Sequence, residues 1–109
     1  MHLRILIDEQ LPRQLAPCLV GHDARTVQQE SWAGLKNGEL LAKAEGAGFS
    51  VFLTADQNIE FQQNISKSRL GVVVLCAVSN ALEDLLPRVP AALTAILTVR
   101  PGQLIRVEP

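Results

Sequence analysis

Ile5-Leu6-Ile7 runs straight into Asp8-Glu9, and Val51-Phe52-Leu53-Thr54 runs, after Ala55, into Asp56. Runs this short and this uniformly apolar read as strands buried on both faces, the pattern of a parallel sheet. Leu70 to Ala77 is a third such run. Parallel neighbours need crossover connections, usually helical and right-handed, so the chain must alternate strands with helices. The crevice beyond the carboxyl ends of such strands is where ligands bind, and two acids placed there converge on one spot.

The segments between the runs fit that alternation. Leu11, Leu15 and Leu19 recur at helical spacing after Pro12, predicting a first helix that Pro17 kinks or shortens before Gly21-His22 ends it. Asp23 to Val27 is a short strand, and Ser31 to Gly38 a loop whose Trp32 lies as a lid over the core. A second helix is expected over Asn37 to Ala47, with Leu40, Leu41 and Ala44 inward. Asp56 to about Ile65 reads as a short helix. Asn80 and Glu83 have the spacing of a capping box. Pro87 and Pro90 break the following helical region, leaving Ala91 to Val99 as its firmer part, and Pro101-Gly102 turns into an edge strand over Gln103 to Val107. This predicts one α/β domain over residues 1–109.

Composition narrows the function. Nearly half of the 109 residues are apolar (48%) and charged residues are interspersed, which favours a globular chain over disorder. The longest apolar run, Val72 to Val78, falls far short of the ~20 residues of a membrane helix. Asp8 and Glu9 interrupt the amino-terminal apolar stretch, which argues against a signal peptide and makes the cytoplasm the expected location. The net charge of −1 offers nucleic acid no global attraction, so any such surface must be local, for instance Arg13, Lys36, Lys67 and Arg69. The two cysteines, Cys18 and Cys76, lack partners at zinc-ligand spacing and read as small buried hydrophobes.

The acids carry the chemistry. Like charges held close repel unless a cation or a shared proton offsets them, so Asp8 and Asp56 form a candidate divalent-metal site, with Glu39 early in the second helix as third ligand. Each acid also has an ordinary use, Asp8 and Asp56 as helix caps and Glu39 in favourable contact with a helix dipole. Asn58 offers a neutral oxygen to a hard cation. Glu9, Thr54 and Asn37 are further supporting candidates.

Ile5-Leu6-Ile7-Asp8-Glu9-Gln10-Leu11-Pro12, then Gly21-His22-Asp23, then Gly34-Leu35-Lys36-Asn37-Gly38-Glu39-Leu40-Leu41-Ala42-Lys43-Ala44, and finally Phe52-Leu53-Thr54-Ala55-Asp56-Gln57-Asn58 together resemble the signature of the small PIN-like proteins, which are similar to VapC-type toxins of toxin-antitoxin pairs. The resemblance implies a PIN-like three-layer α/β/α domain with a mainly parallel sheet of about five strands. It also implies an acidic cluster of Asp8, Glu39 and Asp56 that binds Mg²⁺ or Mn²⁺ and hydrolyses RNA, with an antitoxin or a second copy of the chain as partner. The family often carries an acid at Asn37, a second aspartate at Asn58 and an arginine at Ala55. Fewer carboxylates imply weaker attraction for a second cation.

Sequence proximity, rather than the resemblance, further suggests Thr54 or Asn58 to orient a water by hydrogen bonding and Arg13 or Lys36 to hold the flanking phosphate. Trp32, Leu35 and Ile65 are the expected apolar contact surface for a partner. Two other classes compete. A phospho-accepting receiver also has acids after its first and third strands, yet Ser79 comes late and Arg100-Pro101 stands before the last strand where a receiver has Lys-Pro after it. A non-catalytic binding protein is the third, supported by Asn37 and Asn58.

Overall fold

The apolar runs form five strands in the computed structural model, which describes residues 2–108 apart from the Phe61 side chain. They are β1 (Arg4–Ile7), β2 (Asp23–Thr26), β3 (Val51–Thr54), β4 (Gly71–Leu75) and β5 (Leu104–Val107). One sheet results, in the order β2-β1-β3-β4-β5, with every neighbouring pair parallel. The central β3 and β4 are buried throughout, which is why their sequences are apolar at nearly every position rather than at alternate ones.

Side chains alternate between two cores. Ile5, Ile7, Val51, Leu53, Val73 and Leu75 point to one face and meet Leu15, Leu85 and the inner residues of a later helix; Leu6, Phe52, Val72 and Val74 point to the other and meet Leu40, Leu41 and Ala44. The second face is covered by α1 (Asn37–Gly46) and α2 (Ile59–Gln62), the first by α3 (Leu82–Leu85) and α4 (Val89–Thr98). The sheet therefore lies between two layers, and the chain leaves β1 toward one face and β3 toward the other.

Several connections differ from the sequence expectation. The first crossover is a 3-10 helix over Arg13–Cys18 rather than an α-helix. Pro17 lies inside it and has no N–H to donate, so an α ladder cannot run through. Asp56 to Ile65 does not form one helix: α2 is a single turn, followed by a separate 3-10 turn over Ile65–Lys67. The Asn80–Glu83 box is absent. Ala81 precedes α3 without a side-chain cap, and the Ser79 hydroxyl instead accepts from the Ala81 N–H and donates to Asp84 Oδ2. A reciprocal pair of the capping-box kind occurs elsewhere: Gln29 N–H donates to Thr26 Oγ1 and Thr26 N–H to Gln29 Oε1, closing the turn after β2. Pro90 does not delay α4 to Ala91, because a first-turn residue needs no backbone donor, and Pro87 sits in a 3-10 turn over Leu86–Arg88.

Of the expected apolar contact surface, Ile65 is corrected, while Trp32 and Leu35 stay partly exposed. Ile65 is buried, and Trp32 and Leu35 pack against the core over α1, Trp32 meeting Phe49 edge-on with ring centroids 6.0 Å apart. Trp32 is thus a lid, as expected. Cys76 is buried but Cys18 only partly so, its thiol directed to the Gln14 carbonyl. His22 stands in the turn before β2, and its Nδ1 accepts from the N–H of Leu3, the residue before β1. Among the described residues no helix is long and apolar enough to cross a membrane.

Candidate functional site

β1 and β3 are parallel neighbours, Ile7 standing beside Leu53, so the residues that follow them emerge at the same end of the sheet. This is also the point where strand order reverses, β2 lying to one side of β1 and β3, β4 and β5 to the other. Crossovers from β1 and β3 depart to opposite faces, and the rim between them is the usual ligand position in a doubly wound sheet. Asp8 and Asp56 both sit there.

Thr54 ties the two acids together. Its side chain is fully buried, and its hydroxyl donates to Asp8 Oδ2 at 2.7 Å while accepting from the Asp56 N–H at 3.0 Å. Asp8 is only 5% exposed, and its Oδ1 accepts from the Glu9 N–H at 2.8 Å. Asp56, half-buried, accepts from the Asn58 N–H at Oδ1 (3.0 Å) and from the Asn37 side-chain amide at Oδ2 (3.3 Å). Asn37 opens α1, so that helix begins against the acidic pair. Glu9 points toward the β2–α1 loop and accepts from the Gly34 N–H at 3.3 Å.

Electrostatics make the pair costly. Burial holds the Asp8 carboxyl above its ordinary value of 3.8, against the lowering effect of the Thr54 and Glu9 hydrogen bonds, and the charges of Glu9 and Asp56 raise it further. Among the described residues, ion pairs form between Arg4 and Asp23, Arg25 and Glu30, and Arg106 and Glu60, and none reaches Asp8 or Asp56. Two neighbouring carboxylates with hydrogen-bond donors and no cationic side chain form a donor set that suits a small hard cation.

The remaining sequence candidates divide. Asn37 and Thr54 join the site through direct hydrogen bonds. Asn58 contributes its backbone N–H, while its side chain is exposed and does not cap α2. Glu39 lies in the first turn of α1, exposed, and among the described residues no group of three His, Cys, Asp or Glu is arranged to hold a metal. Lys36 is the residue preceding α1. Arg13 lines a groove of about 680 Å³ formed by the first crossover and the turn after β2, which neither Asp8 nor Asp56 lines.

Sequence reasoning missed the clamp on the Asp56 loop. Arg106 of β5 donates to the Gln57 carbonyl at 2.9 Å and pairs with Glu60, tying the start of α2 to the edge strand. Its only sequence signal is a charge inside a strand otherwise apolar from Leu104 to Val107. The receiver expectation fares differently. The Ser79 hydroxyl is engaged with Ala81 and Asp84, and Arg100 precedes β5 and so lies toward the end of the sheet opposite Asp56.

Compared with protein-family models, with curated proteins and with solved structures, the chain matches none of them.

Proposed function

We propose that this domain is PIN-like and acts as a divalent-metal-dependent endoribonuclease, the VapC-like toxin of a toxin-antitoxin pair. The observation that carries the reading is the juxtaposition of Asp8 and Asp56 at the strand-order reversal, bridged by buried Thr54 and, among the described residues, in no ion pair with a cationic side chain. Asp8 and Asp56 would hold Mg²⁺ or Mn²⁺, with exposed Glu39 acting through water. When bound, the ion supplies charge to polarise a phosphate and acidify water for in-line attack.

The chain's own residues do the positioning. Thr54 locks the Asp8 rotamer through Oδ2, and Asn37 holds Asp56 Oδ2 with a neutral donor where an acid would repel it. Arg13, on the groove of the first crossover, and Lys36, just before α1, would attract the RNA backbone locally, which the net charge of −1 does not do globally. The partners are RNA and a cognate antitoxin, with a second copy of the chain as the other candidate. Because Asn58 is neutral, one ion rather than two is the expectation.

The test is cleavage of mixed single-stranded RNA by purified protein with Mn²⁺. Asp8→Asn and Asp56→Ala should each lower the rate by about a hundredfold or more, since a ligand to a catalytic cation is worth several kcal/mol. Titration calorimetry with Mn²⁺ should show Asp56→Ala losing more affinity than Asn58→Ala, and Asn58→Asp gaining it, because a carboxylate attracts a hard cation far more than an amide. Ion binding without cleavage supports the non-catalytic binding protein instead. The strand order 2-1-3-4-5, shared with receivers, keeps that reading testable: labelling of Asp56 by acetyl phosphate supports it and overturns the nuclease.

A further inference from the structure

We infer that the groove between the first crossover and the turn after β2 seats one base of an RNA strand, next to the phosphodiester presented to the acidic pair; this rests on the ribonuclease reading and extends it. The groove measures about 680 Å³, within the range of pre-formed ligand sites. One wall is apolar, built by Leu11, Pro12, Ala16 and Pro17, and the other carries the side-chain amides of Gln28 and Gln29. A nucleobase has that division of surface, two apolar faces and an edge of donors and acceptors, and glutamine amides read such edges. Gln29 is held in place, its Oε1 accepting from the Thr26 N–H at 2.9 Å, which leaves its NH₂ group to donate. Gln28 is exposed and makes no side-chain hydrogen bond among the described residues. Arg13 is the one charged residue lining the groove, so a phosphate is tolerated at its rim.

Position links the groove to the acids. The Leu11 N–H donates to the Asp8 carbonyl at 3.0 Å, and Thr26 pairs in register with Ile7, the residue before Asp8. Leu11 and Ala16 belong to the core on the Ile7 face, while Asp8 bonds Thr54 across the neighbouring strand's end. A strand of RNA crossing the end of β1 therefore places a phosphate at Asp8 and the adjoining base in the groove. An unpaired, unstacked base is the form that such a groove would take up, so the test uses single strands.

The experiment is fluorescence anisotropy with labelled oligouridylate and oligoadenylate, in EDTA so that binding is read without cleavage. Gln28→Ala, at an exposed position, and Ala16→Phe, which fills the groove, should each weaken binding by about tenfold or more, and circular dichroism checks that both variants are folded. Arg13→Ala should weaken binding and lower the dependence of log affinity on log salt by about one ion. Asp8→Asn should bind as well as the unaltered protein or better, having lost a negative charge. Groove variants that bind like the unaltered protein, or an unaltered protein that binds neither oligonucleotide, overturn the inference. Groove-dependent binding without cleavage under Mn²⁺ overturns the nuclease reading alone, and cleavage that groove variants leave intact, with binding unchanged, overturns the groove alone.

Discussion

Thr54 shows how much one side chain can decide. It follows three apolar residues in a strand and is as buried as they are, so its hydroxyl must find partners within the protein, and the partners it finds are the two acids. Thr54→Val keeps the shape and removes both bonds, stranding the Asp8 carboxylate and the Asp56 N–H. It should destabilise the protein by about 1–3 kcal/mol in urea denaturation. Asp8 itself works against the metal-free fold at neutral pH. Its folded-state pKa lies above 3.8, so the fold prefers the protonated acid; that contribution is complete below 3.8 and is lost as pH rises through the raised value. Asp8→Asn, which carries no charge, should therefore be more stable than the unaltered protein at pH 7 in EDTA, and thermal melts at falling pH should show the advantage shrink. A gap that is constant with pH would mean that burial of the charge is not what Asp8 costs.

At the scale of elements, the connections rather than the strands departed from expectation. A strand of Val, Ile and Leu buried on both faces has one way to satisfy its periodicity, whereas Leu11, Leu15 and Leu19 are compatible with an α-helix or a 3-10 helix until Pro17 is weighed against the α ladder. The turn into β5 depends on a backbone state. Gly102 has φ of +80°, and a Cβ there would lie 2.8 Å from the Ser66 carbonyl oxygen. Gly102→Ala therefore meets strain in φ and a clash with backbone at once, and should cost about 1–3 kcal/mol by chemical denaturation. Because this turn also donates its Gly102 N–H to the Leu70 carbonyl, the loss should include faster hydrogen exchange at the start of β4.

For the whole molecule, two cores share one sheet, so neither face can unfold without exposing the other side's strands. Trp32 reports on the α1 face through its contact with Phe49, while far-UV circular dichroism reports on all helices. The two signals should trace a single coincident transition; separate midpoints would show that the α1 layer opens alone. Divalent cations should move that transition, since whatever binds only the folded pair stabilises it. At about 100 times its dissociation constant, Mn²⁺ should add about 2.7 kcal/mol, and the Asp8→Asn, Asp56→Ala double variant should lose the shift.

The order of residues along the chain was enough to place the strands and to name the end of the sheet at which Asp8 and Asp56 emerge. Runs apolar at nearly every position demand burial on both faces, burial on both faces demands helical crossovers, and parallel strands deliver the residues that follow them to the same rim. The same order dictated that Asp8 and Asp56 would meet like with like. Which groups share the rim was settled by packing in three dimensions. Glu39, placed early in α1 by the sequence, stays exposed, while Asn37, two residues earlier, reaches Asp56 because the start of the helix lies against the β3 loop. The Arg106 clamp, the groove walled by Pro12 and Pro17, and the Thr26–Gln29 pair likewise depend on how a crossover settles onto the sheet. That angle is set by contacts between residues distant in the chain, which no local spacing records.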